Sequence, residues 1–302
     1  MRWTPLPVAP NRLGESPMWH PATRQLYWCD IPAGTLHRWD PARQAHDHWA
    51  LGTDTACCAP VADGTLLLAL RTGIVHFDPA DGAVRPLVEA PYDTALERFN
   101  DGKVDPLGRF WVGTIYEPRQ PALAHVYRLD LLRGAARLVP VADGVTVSNG
   151  LAFSPDGRRV YRSDTTSHTV WTAELSAATG EVGPWSLMAA FDTRKAGQPL
   201  EAYGGRPDGA AVDVEGCYWA AMFEGQRLVR LSPQGELLQS VELPVRCPTM
   251  PCFGGDDGRT LYVTTARDKR PDEELAAQPW AGQVLQARVD VPGLPLHCVL
   301  PP

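Results

Sequence analysis

The chain has 302 residues and a formal charge of −7, from 28 Lys and Arg against 35 Asp and Glu. The basic residues are scattered rather than clustered, which argues against nucleic acid and anionic membrane surfaces as partners. No run approaches the roughly 20 apolar residues of a membrane span and MRWTPLPVAPNRLGES lacks a secretory apolar stretch, so a cytoplasmic monomer is expected.

Long amphipathic helical patterns are nearly absent. Gly (27) and Pro (29) instead punctuate short runs rich in β-branched and aromatic residues, the pattern of an all-β chain. Taken in chain order, these runs repeat one hairpin. In GESPMWHPATRQLYWCD, Glu15 precedes Pro21 by six residues, Thr23 takes the place of a turn glycine, and Tyr27 and Trp28 follow. CCAPVADGTLLLAL puts Ala56 eight residues before Gly64. RFNDGKVDPLGRFWVGT puts Asn100 six before Pro106 and eight before Gly108. SNGLAFSPDGRRVYRSD repeats both offsets from Asn149, to Pro155 and Gly157, and RPDGAAVDVEGCYWAAM puts Asp208 eight before Gly216. MPCFGGDDGRTLYVTT closes the series with Met250 eight before Gly258.

The register positions 15, 56, 100, 149, 208 and 250 are separated by 41, 44, 49, 59 and 42 residues, the length of a four-stranded antiparallel blade. HVYRLDL, TVWTAEL, RLVRLSP and QVLQARV suit third strands. The spacing predicts one domain over residues 1–302, a six-bladed β-propeller, with a segment within Trp3 to Val8 completing the last blade.

In such a ring the first strand of each blade lines the axis, so Glu, Ala, Asn, Asn, Asp and Met converge. Asn149-Gly150 or Asp208-Gly209 taken singly are ordinary turn formers. Turn chemistry does not explain oxygen donors at one offset in four blades. Two carboxylates brought together on an axis repel each other and are poorly solvated, and a divalent cation is the simplest compensation. An oxygen-only donor set suits Ca²⁺, Mg²⁺ or Mn²⁺ and accepts Fe²⁺ or Zn²⁺. With three or four protein ligands the cation keeps open positions, as catalytic sites do. Asp208, in a rigid entry beside Arg206 and Pro207, is the favoured base, with Glu15 the second choice.

GESPMW, RFNDGKVDPLGRFWVGT, SNGLAFSPDG, RPDGAAVDVEG and CFGGDDGRTLYVTTARD together resemble the SMP-30/gluconolactonase/LRE-like family, over about residues 12 to 290. The resemblance implies a six-bladed propeller with a metal site on its axis and hydrolysis of a sugar lactone, such as a glucono- or xylonolactone, to the aldonic acid. It implies Glu15, Asn149 and Asp208 as metal ligands, Asp208 also as catalytic acid/base, and Arg98 and Asn100 as substrate-binding residues. The stretch IYEPRQPALAHVYRLD is shorter than in animal regucalcins and lacks their substrate-contacting glutamate, for which Tyr116, Glu117 and Arg119 are candidate substitutes. The longest interblade segment, DTRKAGQPLEAYGGRPDG, is either a rim or lid over the mouth of the cavity or a plain surface loop. A phosphotriesterase using the same site, a metal-binding protein without catalysis and an interaction platform are the competing functions.

Other chemistry-bearing residues read as structural. The seven cysteines lack CxxC spacing and are expected as small buried hydrophobes in a reducing compartment. Trp28, Trp111 and Trp219 fall in second strands and are expected in the core. His20, His125 and His168 have no ligand-like spacing. Asp101 and Lys103 are expected to hold the turn and neighbouring blades.

Overall fold

The computed structural model describes residues 1–132 and 135–300. Its described strands form six four-stranded antiparallel sheets, and the first strands are Gly14–His20, Thr55–Pro60, Glu97–Val104, Ser148–Phe153, Arg206–Val212 and Pro248–Gly254. Each first strand packs against those of the blades before and after it, which closes the ring. The four expected third strands all occupy that place in their blades. In the last blade the fourth strand is Thr4–Pro5, paired with Leu285 and Gln286. The N-terminal segment therefore closes the propeller as expected, through a strand of 2 residues reinforced by Leu6 N–H on the Val284 carbonyl at 2.8 Å. No described helix is long and apolar enough to cross a membrane.

Burial falls from the axis outward. Every residue of Ser148–Phe153 is buried, whereas the fourth strand of that blade, Ser186–Ala190, is exposed or half-buried. The core lies between blades, where the second and third strands of one face those of the next. Trp219 and Leu228 pack in one cluster with Leu261, Val263 and Leu285 of the following blade. Full burial of each such side chain contributes about 1.5–3 kcal/mol. Trp28, Trp111 and Trp219 are all core residues, as expected, and six of the seven free cysteines are buried.

Two positions of the repeated hairpin have structural signatures. At the register position each first strand carries one extra residue relative to its partner: the irregularity falls between Glu15 and Met18, Thr55 and Cys57, Phe99 and Gly102, Asn149 and Ala152, Pro207 and Ala210, and Pro248 and Met250. A β-bulge locally breaks the pairing and re-aims side chains. In blade four the bulge places Gly150 at φ 64, in close approach to the Tyr218 hydroxyl, so that glycine is required there.

Five residues further on, a side chain closes the turn. Asp105 and Asp213 accept from the backbone N–H groups two and four residues ahead, at 2.9 to 3.0 Å. His20 Nδ1 accepts from Ala22 and Thr23, and Ser154 Oγ from Arg159. This explains His20 as a buried structural residue, in line with the sequence reading. At this turn face the C-terminal segment crosses the propeller, with Leu294 N–H on the Val212 carbonyl and Val299 N–H on the Pro60 carbonyl.

Candidate active site

At the end of the channel opposite that crossing lies a cavity of about 710 Å³. Its lining includes all five residues singled out from the sequence: Glu15, Arg98, Asn100, Asn149 and Asp208. They come from four blades, and the bulges bring them together.

Asn100, Asn149 and Asp208 form a chain of hydrogen bonds. Asn100 Nδ2 donates to Asn149 Oδ1 at 2.7 Å and to the Ser148 carbonyl at 3.0 Å. Asn149 Nδ2 donates to Asp208 Oδ1 at 2.5 Å and to Thr165 Oγ1 at 2.8 Å. Thr165 Oγ1 and Ser163 Oγ in turn donate to the Pro207 and Asp208 carbonyls, both at 2.8 Å, fixing the bulge that carries Asp208. Asn149 Oδ1 has accepted one hydrogen bond and retains a second lone pair. Arg98 Nη1 is held by Asn100 Oδ1 at 3.0 Å and the Phe99 carbonyl at 2.8 Å. The other two register residues, Ala56 and Met250, are buried and contribute no oxygen side chain.

The two axial carboxyls are short of donors. Asp208 is 6 % exposed and accepts one side-chain hydrogen bond, and Glu15, 7 % exposed, accepts one from Ser16 N–H at 3.2 Å. Neither has an ion pair within 4.0 Å among the described residues. Burial pushes the Asp208 carboxyl up to about 8 against the pull of Arg206, with the Asp101 charge adding to the rise. Burial and then the Asp208 and Asp101 charges also hold Glu15 well above the usual carboxylate range. A divalent cation fits this donor set: two under-compensated carboxylates and a carboxamide oxygen with a spare lone pair, around one axis. Among the described residues no three His, Cys, Asp or Glu side chains form a metal-holding group, so the set depends on its carboxamides.

Asp101 takes the blade-bridging role that the sequence suggested. Asp101 is buried, its Oδ2 accepts from Leu151 N–H of the next blade at 2.8 Å, and burial raises it to about 6 against the pull of Lys103. Of the three candidates in the short loop, Glu117 and Arg119 line the cavity and Tyr116 does not. Glu117 is held by Arg71 through two hydrogen bonds of 3.0 Å and lies 3.8 Å from Arg98 Nε.

The long interblade segment is no lid. Residues 192–205 supply none of the cavity lining, and only Arg206, at their end, reaches it. Tyr203 Oη bonds to His168 Nε2 at 2.5 Å and Glu201 pairs with Arg246, which anchor the segment to blade four and to the connection that precedes Pro248–Gly254. This gives His168 a structural role. Thr165, Arg206 and Glu224 also line the cavity and escaped the sequence reading. Thr165 and Glu224 follow the ends of second strands and Arg206 opens a first strand, all off the hairpin register, so their spacing carries no signal.

The family model for the SMP-30/Gluconolactonase/LRE-like region matches residues 13–267. The 6-deoxy-6-sulfogluconolactonase of Pseudomonas putida is 43% identical over 284 residues, spanning 94% of both chains. Rabbit (Oryctolagus cuniculus) regucalcin is 34% identical over 286 residues, 93% of both chains. A solved structure of a calcium-binding regucalcin from Agrobacterium tumefaciens superposes with a TM-score of 0.88 at 27% identity, covering 98% of this chain and 96% of that one.

Proposed function

The chain belongs to the SMP-30/gluconolactonase/LRE-like family, and on that premise we propose that it is a metal-dependent lactonase hydrolysing a sugar lactone to its aldonic acid. The observation that carries this reading is the pair of buried carboxyls, Glu15 and Asp208, with one hydrogen bond each, on the wall of an open cavity. The lactonase activity named for the P. putida relative, at 43% identity along nearly the whole chain, supports it.

Glu15, Asn149 and Asp208 would hold the cation. A bound divalent ion supplies Lewis-acid polarisation of the lactone carbonyl there. Asp208 takes a proton from water as the water oxygen bonds to the carbonyl carbon, and returns a proton to the ring oxygen as the ester C–O bond breaks. Arg98 has Nη1 committed to the site wall and offers its remaining N–H groups to substrate oxygens. Asn100 has donated to Ser148 and Asn149, so it acts on the substrate chiefly by setting Asn149 and Arg98.

The test is turnover by chelator-stripped protein with Ca²⁺, Mg²⁺, Mn²⁺, Zn²⁺ or Fe²⁺ restored singly, on gluconolactone, xylonolactone and an organophosphate triester. Lactone opening that returns with at least one cation is the expected result. Hydrolysis of the phosphotriester alone, or of no ester with any cation, would overturn the reading.

A further inference from the structure

The rim of the same cavity holds an arrangement that lactone opening does not use. Arg119 and Arg206 both line it, from blades three and five. Arg119 makes no side-chain hydrogen bond and no ion pair within 4.0 Å among the described residues. Enclosure by the walls and, next, the charge of Arg206 disfavour its cationic form. Two guanidinium groups thus face one space and repel each other.

Of the carboxylates in the cavity wall, Glu117 and Glu224 are shared with other arginines. Glu117 is held through both oxygens by Arg71. Glu224 accepts a 3.0 Å hydrogen bond from Arg270, and its contact with Arg206 Nη2 is a looser 3.3 Å. Arg206 Nε is buried without a hydrogen-bond partner. A buried donor left unpaired costs about 1–3 kcal/mol, more when charged, and a ligand oxygen would recover that cost. The planar forks of two arginines suit a group with several anionic oxygens better than a neutral hydroxyl.

We infer that Arg119 and Arg206 form an anion-reading pair that selects lactones bearing an ionised sulfonate or phosphate on the carbon remote from the carbonyl. The inference rests on the lactonase reading and adds its substrate class. Glu15 and Asp208, at the axis, would act on the ring carbonyl while the rim arginines hold the charged tail. Both ends of the substrate are then fixed, which favours one orientation for attack.

The experiment compares kcat/KM on neutral gluconolactone with that on its 6-sulfonate and 6-phosphate counterparts, for the wild type, Arg119→Gln, Arg119→Lys and Arg206→Gln. Wild-type protein should favour at least one charged lactone over the neutral one by about tenfold or more. Each Gln variant should lower that charged-to-neutral ratio at least tenfold, mainly through KM, and Arg119→Lys should retain more of it. Because the Arg119 side chain makes no internal hydrogen bond, its variants should melt with the wild type. A wild type indifferent to charge, or Gln variants that keep the ratio, would overturn the inference and leave the lactonase reading intact. Failure on all three lactones would overturn both.

Discussion

Asp208 and Asp213 lie five residues apart, in one first strand and the turn that follows it. Both are buried, at 6 % and 0 % exposure, and each has an arginine nearby, yet their surroundings are opposite. Asp213 accepts from the N–H groups of Glu215 and Cys217 on one oxygen and from Trp219 Nε1 and Arg230 Nε on the other, all at 2.8 to 3.0 Å. Asp105 is surrounded in the same way by Leu107, Arg109 and Trp111. Asp208 has one donor, the Asn149 amide. A carboxylate saturated by its own chain holds the fold together. One left short of donors, beside a second carboxyl and open to a cavity, is held ready for something that arrives.

Substitutions at the two positions should separate the roles. At Asp208, Asp208→Ala should cut lactone turnover by about a thousandfold or more, the upper range for loss of a positioned acid/base, with little change in melting temperature. At Asp213, Asp213→Ala removes the buried partner of Arg230, which keeps only the exposed Glu215, and leaves two turn N–H groups and the Trp219 indole unpaired. Loss of a buried paired charge costs about 3–5 kcal/mol, so this variant should melt well below the wild type while its folded fraction keeps near-normal turnover. Calorimetric melts and rates per folded molecule would read both. Equal loss of activity with no loss of stability at the two positions would break the distinction.

A smaller effect concerns pH. Asp208 is pushed from the usual 3.8 to about 8, chiefly by burial. The folded chain therefore retains this proton where the unfolded chain has lost it. Its stabilising contribution is present below about pH 4 and declines as pH rises toward about 8. Asp208→Asn carries no such charge. In chelator-stripped protein its melting temperature should accordingly gain on that of the wild type between pH 4 and pH 8. A constant difference would show that burial imposes no cost on the Asp208 charge.

Much of this was legible in the sequence because each blade repeats a physical necessity. A sharp turn needs Pro or Gly, a buried second strand needs aromatic and β-branched residues, and the distance back to the axis is then constant. That ruler located Glu15, Asn100, Asn149 and Asp208. It did not reveal the bulge at each register position, which is a difference between the two strands rather than a property of either. Nor did it separate Asp208 from Asp213 by environment, because the donors of Asp213 include Arg230, from the third strand. Arg119 reaches the cavity from a loop outside the repeated hairpins, and Arg206 opens a first strand two residues before its register position. The 192–207 segment shows the opposite limit: its length allowed a lid, while the bonds of Tyr203 and Glu201 hold it outside.

The most direct test of the contrast between the two aspartates is calorimetric titration of chelator-stripped protein with Ca²⁺ and Mn²⁺, for the wild type and Asp208→Asn. We expect one cation site per chain in the wild type and at least a hundredfold weaker binding in a folded Asp208→Asn protein. Binding of equal affinity and stoichiometry by both would contradict the assignment of the axial carboxyls to a cation.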